Sequence, residues 1–243
     1  MKNLLTIAYN GTNFCGWQKQ ENAPTIQQEV EVALKNLFNY NIEIRGASRT
    51  DAGVHAIGQR AVFFHSHKIP MSNLPLALNN FLPPEIRILK CEEVDENFHP
   101  QYDAKNKTYK YRIYNKKIMN PLEHNLAWHV NQYIDVKKMR QAAKFLIGTH
   151  DFSAFCATGS TTKTRVRCVN FINIERIGDI IEIHVNGDGF LYNMVRIIAG
   201  TLAYVGYDKF TKEDVYEALK NKDRQRAGIT APPSGLTLVE INY

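Results

Sequence analysis

Apolar residues recur along the chain with two periods, and the switching between them predicts an α+β protein. Lys2 to Tyr9 reads as a strand and stops at Asn10-Gly11, a pair that favours a turn. Thr25 to Gln28 has the form of a capping box, with the Thr hydroxyl on the third amide and Gln reaching back. Ile26, Val30, Ala33, Leu34, Leu37 and Phe38 then make one helical stripe. Ile42-Glu43-Ile44-Arg45 alternates as a strand, and Ala61-Val62-Phe63-Phe64 reads as a strand with both faces covered. Ser72 to Leu82 is expected to be a helix with Leu74, Leu78, Phe81 and Leu82 facing inward, stopped by Pro83-Pro84. A strand from Ile86 to Val94 follows.

Phe98 to Lys107 is polar, contains Pro100 and has no periodicity, so the domain junction is expected here, with domains 1–104 and 105–243. In the strand Lys107 to Tyr114, alternation puts Lys107, Tyr109, Tyr111 and Ile113 on one face and Lys110 and Arg112 on the other. Asp135 to Leu146 reads as a capped helix with Met139, Ala142, Ala143 and Leu146 inward. Lys163 to Arg167 opens a strand with cations at alternate positions, and the strand around Ile181, Ile183 and Val185 is its expected antiparallel partner. From Phe190 to Val205 the only charge is Arg196. A helix apolar almost all round is buried, and a buried Arg needs a partner; Asp51 and Asp188 are the candidates. Thr211 to Leu219 is a short capped helix, a basic run from Lys220 to Arg226 follows, and Ala231-Pro232-Pro233-Ser234-Gly235-Leu236 introduces a final strand to Tyr243. Both halves mix strands and helices in a ferredoxin-like way.

The 243 residues, 44% of them hydrophobic, suffice for a sizeable core, and no apolar run approaches the roughly 20 residues that span a bilayer. The N-terminus runs straight into a strand pattern instead of a signal peptide, so a cytoplasmic protein without a membrane segment is expected. Cys15, Cys91, Cys156 and Cys168 are scattered without a Cys-x-x-Cys pair, which reads as free thiols. A net charge of +6 favours a polyanionic partner, nucleic acid first. Cations interleaved with Tyr109 and Tyr111 suit RNA, because bases stack on rings while cations meet phosphates; a solvated basic face is the alternative.

Between two of the predicted strands lies Gly46-Ala47-Ser48-Arg49-Thr50-Asp51-Ala52-Gly53-Val54-His55-Ala56, a polar loop flanked by glycines and presenting one carboxylate. As composition it can be no more than an Asp-Gly turn. The run Arg49 to Ala56 with Gly58-Gln59, however, resembles the signature loop of the bacterial tRNA pseudouridine synthase A (TruA) family. So do Ile7 to Gly11 with Gly16-Trp17-Gln18, the tyrosine strand, Gly148 to Phe155, Phe190 to Arg196 and the Ala231 to Leu236 ending, all in collinear order. The resemblance implies two ferredoxin-like subdomains sharing a mostly antiparallel central sheet. It implies Asp51 as the catalytic residue, Tyr109 as the ring against the target uridine and Arg196 as the partner of Asp51. It also implies Arg49 as an aid to base flipping, and a homodimer acting on tRNA at positions 38 to 40 of the anticodon stem-loop. Two departures are Gln101, near which the family usually has Arg, and Arg60, where it usually has an apolar residue. On the residues alone, Trp17 is more readily packing than ligand contact.

Pseudouridine formation breaks the N1–C1′ bond, turns the base and rejoins it through C5, with no oxidation and no imported group. No cofactor or metal is therefore expected, and the chain has no phosphate-loop, dinucleotide-fold or His-Glu-x-x-His motif. His65-Ser66-His67 offers two imidazoles without a third ligand nearby in sequence. A non-catalytic RNA-binding module of similar fold, or a small-molecule hydrolase with an Asp nucleophile, are the competing functions. The module predicts a dispensable Asp51, and the hydrolase leaves the basic tyrosine strand unexplained.

Overall fold

The computed structural model describes residues 1–66, 70–160 and 162–243, which divide into two compact units. Met1–Lys105 with Thr237–Tyr243 form one, and Asn106–Leu236 the other. The first opens with β1 (Lys2–Tyr9), α1 (Ile26–Phe38), β2 (Arg45–Gly46), β3 (His55–Phe64), α2 (Leu74–Asn79) and β4 (Ile86–Val94). The second holds β5 (Asn106–Asn115), β6 (Trp128–Val130), α3 (Val136–Ala143), β7 (Gly148–Asp151), β8 (Val166–Ile177), β9 (Ile180–Gly187), α4 (Met194–Gly206) and α5 (Lys212–Asn221). The last strand, β10 (Leu236–Asn242), lies with the first unit and runs parallel to β3 at His55 and Ala56.

In the first unit the strands run β4-β1-β3-β2, antiparallel throughout, with one helix crossing before β3 and one before β4. This is the ferredoxin-like arrangement, and β10 shares the edge of β3 with β2. α1 buries Ile26, Val30, Ala33, Leu34 and Phe38 against the sheet. Its cap is half of the predicted box: Thr25 Oγ1 accepts from the Gln28 amide at 3.4 Å, while Gln28 Oε1 is buried without a partner.

The predicted strand at Ile42 to Arg45 is reduced to two residues. Ile42 and Ile44 are buried and Glu43 and Arg45 exposed, as alternation requires. The backbone of Ile44 is taken elsewhere, its N–H to Glu31 Oε1 and its carbonyl to Gln27 Nε2, both at 3.2 Å, so side chains of α1 replace the sheet ladder. α2 is also shorter than expected. It ends at Asn79, whose side chain bonds both backbone groups of Ile88, and Phe81, expected inward, is 44% exposed.

In the second unit β5, β9 and β8 lie side by side and antiparallel, with β7 beyond β8 and β6 parallel to the end of β5. α3 connects β6 to β7, and α4 follows β9. One face of β5 buries Tyr109, Tyr111 and Ile113 beside Ile181, Ile183 and Val185 of β9. Its other face carries Lys110 and Arg112. α4 begins at Met194, four residues later than the apolar run suggested, because Asn193 takes a left-handed conformation (φ 59°) and breaks the chain direction there. Among the described residues no helix is long and apolar enough to cross a membrane.

Candidate active site

The polar loop that carries Asp51 is clamped from several directions within the first unit. Trp17 N–H donates to the Thr50 carbonyl at 3.0 Å, Gly53 N–H to the Phe14 carbonyl at 3.2 Å, and the Tyr9 and Thr50 hydroxyls are 2.7 Å apart. On the β3 side the buried Gln59 bonds both backbone groups of Ser48: its Nε2 donates to the carbonyl at 2.7 Å and its Oε1 accepts the amide at 3.2 Å. Gly11 N–H donates to His55 Nδ1 at 3.1 Å, which leaves that ring nitrogen unprotonated.

Glycine is required at the contact points. Gly16 has φ +92°, and a Cβ there would stand 2.7 Å from the Thr50 carbonyl oxygen; at Gly11 a Cβ would meet the Val54 oxygen at 2.0 Å. Gly46 lies against the indole of Trp17, which is 1% exposed and so packs the floor of the loop, as the residues alone favoured. Asp51 itself is partly exposed, Thr50 is buried beneath it, and Arg49 points into solvent. The result is a carboxylate on a loop with little freedom to move. Gln59→Met, which keeps the volume and removes both bonds to Ser48, is expected to lower stability by about 2 to 4 kcal/mol, read from a denaturant titration.

Arg196 is in the second unit, on the first turn of α4. Its Nε donates to the Ala231 carbonyl at 2.7 Å and its Nη1 to Asn193 Oδ1 at 2.6 Å, while Ala231 N–H bonds back to the Arg196 carbonyl at 3.2 Å. Asp188, the other candidate partner, turns its carboxylate to the Cys168 amide at 3.0 Å. The run from Ala231 to Gly235 contacts both Arg196 and Tyr111. Beyond the Arg196 bonds, the Tyr111 hydroxyl donates to the Pro232 carbonyl at 2.8 Å and Gly235 lies on the Tyr111 ring, too close for any Cβ. Burial pushes the Tyr111 phenol far up, with the nearby Arg196 charge opposing.

Tyr109 is 6% exposed and meets Phe190 edge-on at 5.2 Å. Two positions earlier on the same face, burial holds the Lys107 ammonium down at about 8.

Several cations expected to meet phosphate are engaged within the protein. Lys110 and Arg112 pair with Glu182 at 3.2 and 3.5 Å, and Arg112 also with Glu123 at 3.0 Å. Burial works against the Glu182 charge, but His184 and Lys110 more than offset it and keep the carboxylate below its usual range. Lys222 pairs with Asp151 at 2.8 Å, and Arg224 donates to the Gly228 carbonyl at 2.8 Å and to Thr230 Oγ1 at 3.2 Å. The run from Lys220 to Arg226 is thus tied into the unit. Lys163, Arg165 and Lys220 remain exposed.

Of the two departures, Arg60 bonds the Thr6 hydroxyl and the Glu92 carboxylate and lies over the Tyr243 ring at 5.8 Å, a packing role within the first unit. Gln101 is exposed, its backbone N–H donating to His99 Nδ1 at 3.2 Å. Of the two imidazoles in this run, His65 stacks on both Phe38 and Phe63, and His67 lies outside the described residues. Among the described residues no three His, Cys, Asp or Glu side chains gather as a metal site.

Set beside known proteins, the chain falls in a class of RNA-modifying isomerases. The family model described as tRNA pseudouridine synthase matches residues 5–103 and 142–243, and the chain belongs to that family. It is 48% identical over 240 residues to the tRNA pseudouridine synthase A of Thermoanaerobacter sp. (strain X514), covering 99% of this chain and 98% of the relative. It is 46% identical over 244 residues to that of Acetivibrio thermocellus, covering all of both chains. To the tRNA pseudouridine synthase A 2 of Clostridium tetani it is 48% identical over 241 residues, covering 98% of this chain and 97% of the relative.

Proposed function

We propose that this protein isomerises uridines of the tRNA anticodon stem-loop, positions 38 to 40, to pseudouridine. What carries this reading is near-full-length similarity to proteins named tRNA pseudouridine synthase A. The rigid seating of the Asp51 loop supports it, since a reacting carboxylate must be held in place. The N1–C1′ bond breaks, C5 bonds to C1′, N1 gains a proton and C5 loses one, so atoms balance without a co-reactant. Ionised Asp51 attacks C1′ or removes a sugar proton to start this; both routes need its negative charge. The base leaves its stack to be reached, Tyr109 supplies a face for it, Arg49 assists the extrusion, and Arg196 holds Asp51 ionised.

Incubating the purified protein with an unmodified tRNA transcript and mapping pseudouridine by position tests the reading; modification outside the anticodon stem-loop, or none, contradicts it. A homodimer of cytoplasmic location, holding one tRNA across both copies, completes the proposal. A monomeric mass in solution at working concentration overturns that part. Tyr109→Ala is expected to weaken tRNA binding by about 1 to 3 kcal/mol, and Tyr109→Phe by far less, because stacking needs the ring and not the hydroxyl. Filter binding measures both, with a thermal melt alongside, since Tyr109 is also buried.

A further inference from the structure

We propose that Asn193 is a positioning residue, whose side chain sets the orientation of Arg196 for the reaction. This rests on the reading above that Arg196 serves the catalytic carboxylate. Asn193 occupies the N-cap position of α4, where an Asn side chain ordinarily accepts a backbone amide of the first turn. Here it makes no such cap bond. Its Oδ1 instead accepts Arg196 Nη1 at 2.6 Å, while its own backbone sits at φ 59° and ψ 11°, a left-handed conformation that Asn adopts more readily than other L residues. A left-handed N-cap residue lacks the extended backbone from which a side chain caps the first turn, and the bond to Arg196 is what this side chain makes in place of a cap.

The geometry explains why one bond would not suffice. Ala231 fixes Nε from one side, which leaves rotation of the terminal guanidinium atoms to be controlled, and Asn193 fixes Nη1. Both acceptors are neutral, so they orient the cation without cancelling its charge. An Arg presented in this way meets a carboxylate as a fixed fork and does not have to search for it.

Asn193→Gly is the informative change, because glycine accepts the left-handed backbone and loses only the amide. Single-turnover rates against pH, tRNA affinity and thermal melts are compared for wild type, Asn193→Gly, Arg196→Met and the double variant. Asn193→Gly is expected to slow the reaction by about tenfold or more with affinity within about threefold and an unchanged melt, and its acid limb moves to higher pH. The double variant is then no slower than Arg196→Met alone. An Asn193→Gly rate within about twofold of wild type beside a slow Arg196→Met, or losses that multiply in the double variant, overturns the proposal. A normal rate for Arg196→Met removes the active-site reading of Arg196, and the proposal falls with it.

Discussion

Asp51→Asn is expected to lose turnover by on the order of 10⁴-fold or more while binding tRNA within about threefold of wild type. Asn has the shape of Asp, and the bonds that hold the loop come from Trp17, Phe14, Tyr9, Gln59 and Gly11, with the Asp51 backbone contributing a bond to Val54 N–H at 3.2 Å. The substitution leaves these bonds in place and removes the charge. A thermal melt identical to wild type, with no pseudouridine formed in a long incubation, is the expected pair of results. Residual turnover within tenfold of wild type would return Asp51 to the role of a turn residue and favour a different nucleophile or a pure binding function.

The second large effect concerns Arg196→Met. A cation within about 4 to 6 Å of a carboxylate lowers its pKa by roughly 1 to 3 units. If Arg196 is that cation, its removal raises the apparent pKa of Asp51, so the acid limb of the rate profile shifts upward by that amount and the rate at neutral pH collapses. The sign is fixed by the chemistry: a depressed carboxylate is ionised over a wider range, and losing the depressing charge narrows it from the acid side. Near-normal turnover in a protein that melts earlier would make Arg196 structural. Met is chosen because a flexible apolar chain fills similar space on α4.

Much of this architecture is legible in local sequence because local physics decides it. β1 and β4 begin and end where the pattern says, β1 running out at the Asn10-Gly11 pair and β4 starting just after Pro83-Pro84. The capping box of α5 forms in full, Thr211 and Asp214 bonding reciprocally. What local pattern cannot supply is the identity of long-range partners. The burial of Ile42 and Ile44 was readable, yet their failure to pair as a strand depends on Gln27 and Glu31 of a helix that must first be placed. The Gln59 grip on Ser48 spans 11 residues, and that of Ala231 on Arg196 spans 35. Asn193 shows no periodicity signal because a single left-handed residue leaves no trace in an apolar run. Asp51 stands out only through the likeness of its loop to a family pattern; by composition it is an ordinary turn.

β10 pairs in parallel with β3 at His55 and Ala56, directly after the loop that carries Asp51. The whole second unit lies between the two sides of this pairing in sequence, so the first unit cannot complete its sheet until that unit has been made. Everything from Met1 to Lys105 is translated early and must wait, partly assembled, until Thr237 and Leu238 emerge. Until then the edge of β3 next to the Asp51 loop is open, a stretch on which another strand can pair. A chain cut before Thr237 therefore keeps β5 to α5 entire, while His55 and Ala56, next to the Asp51 loop, lose the strand that pairs with them.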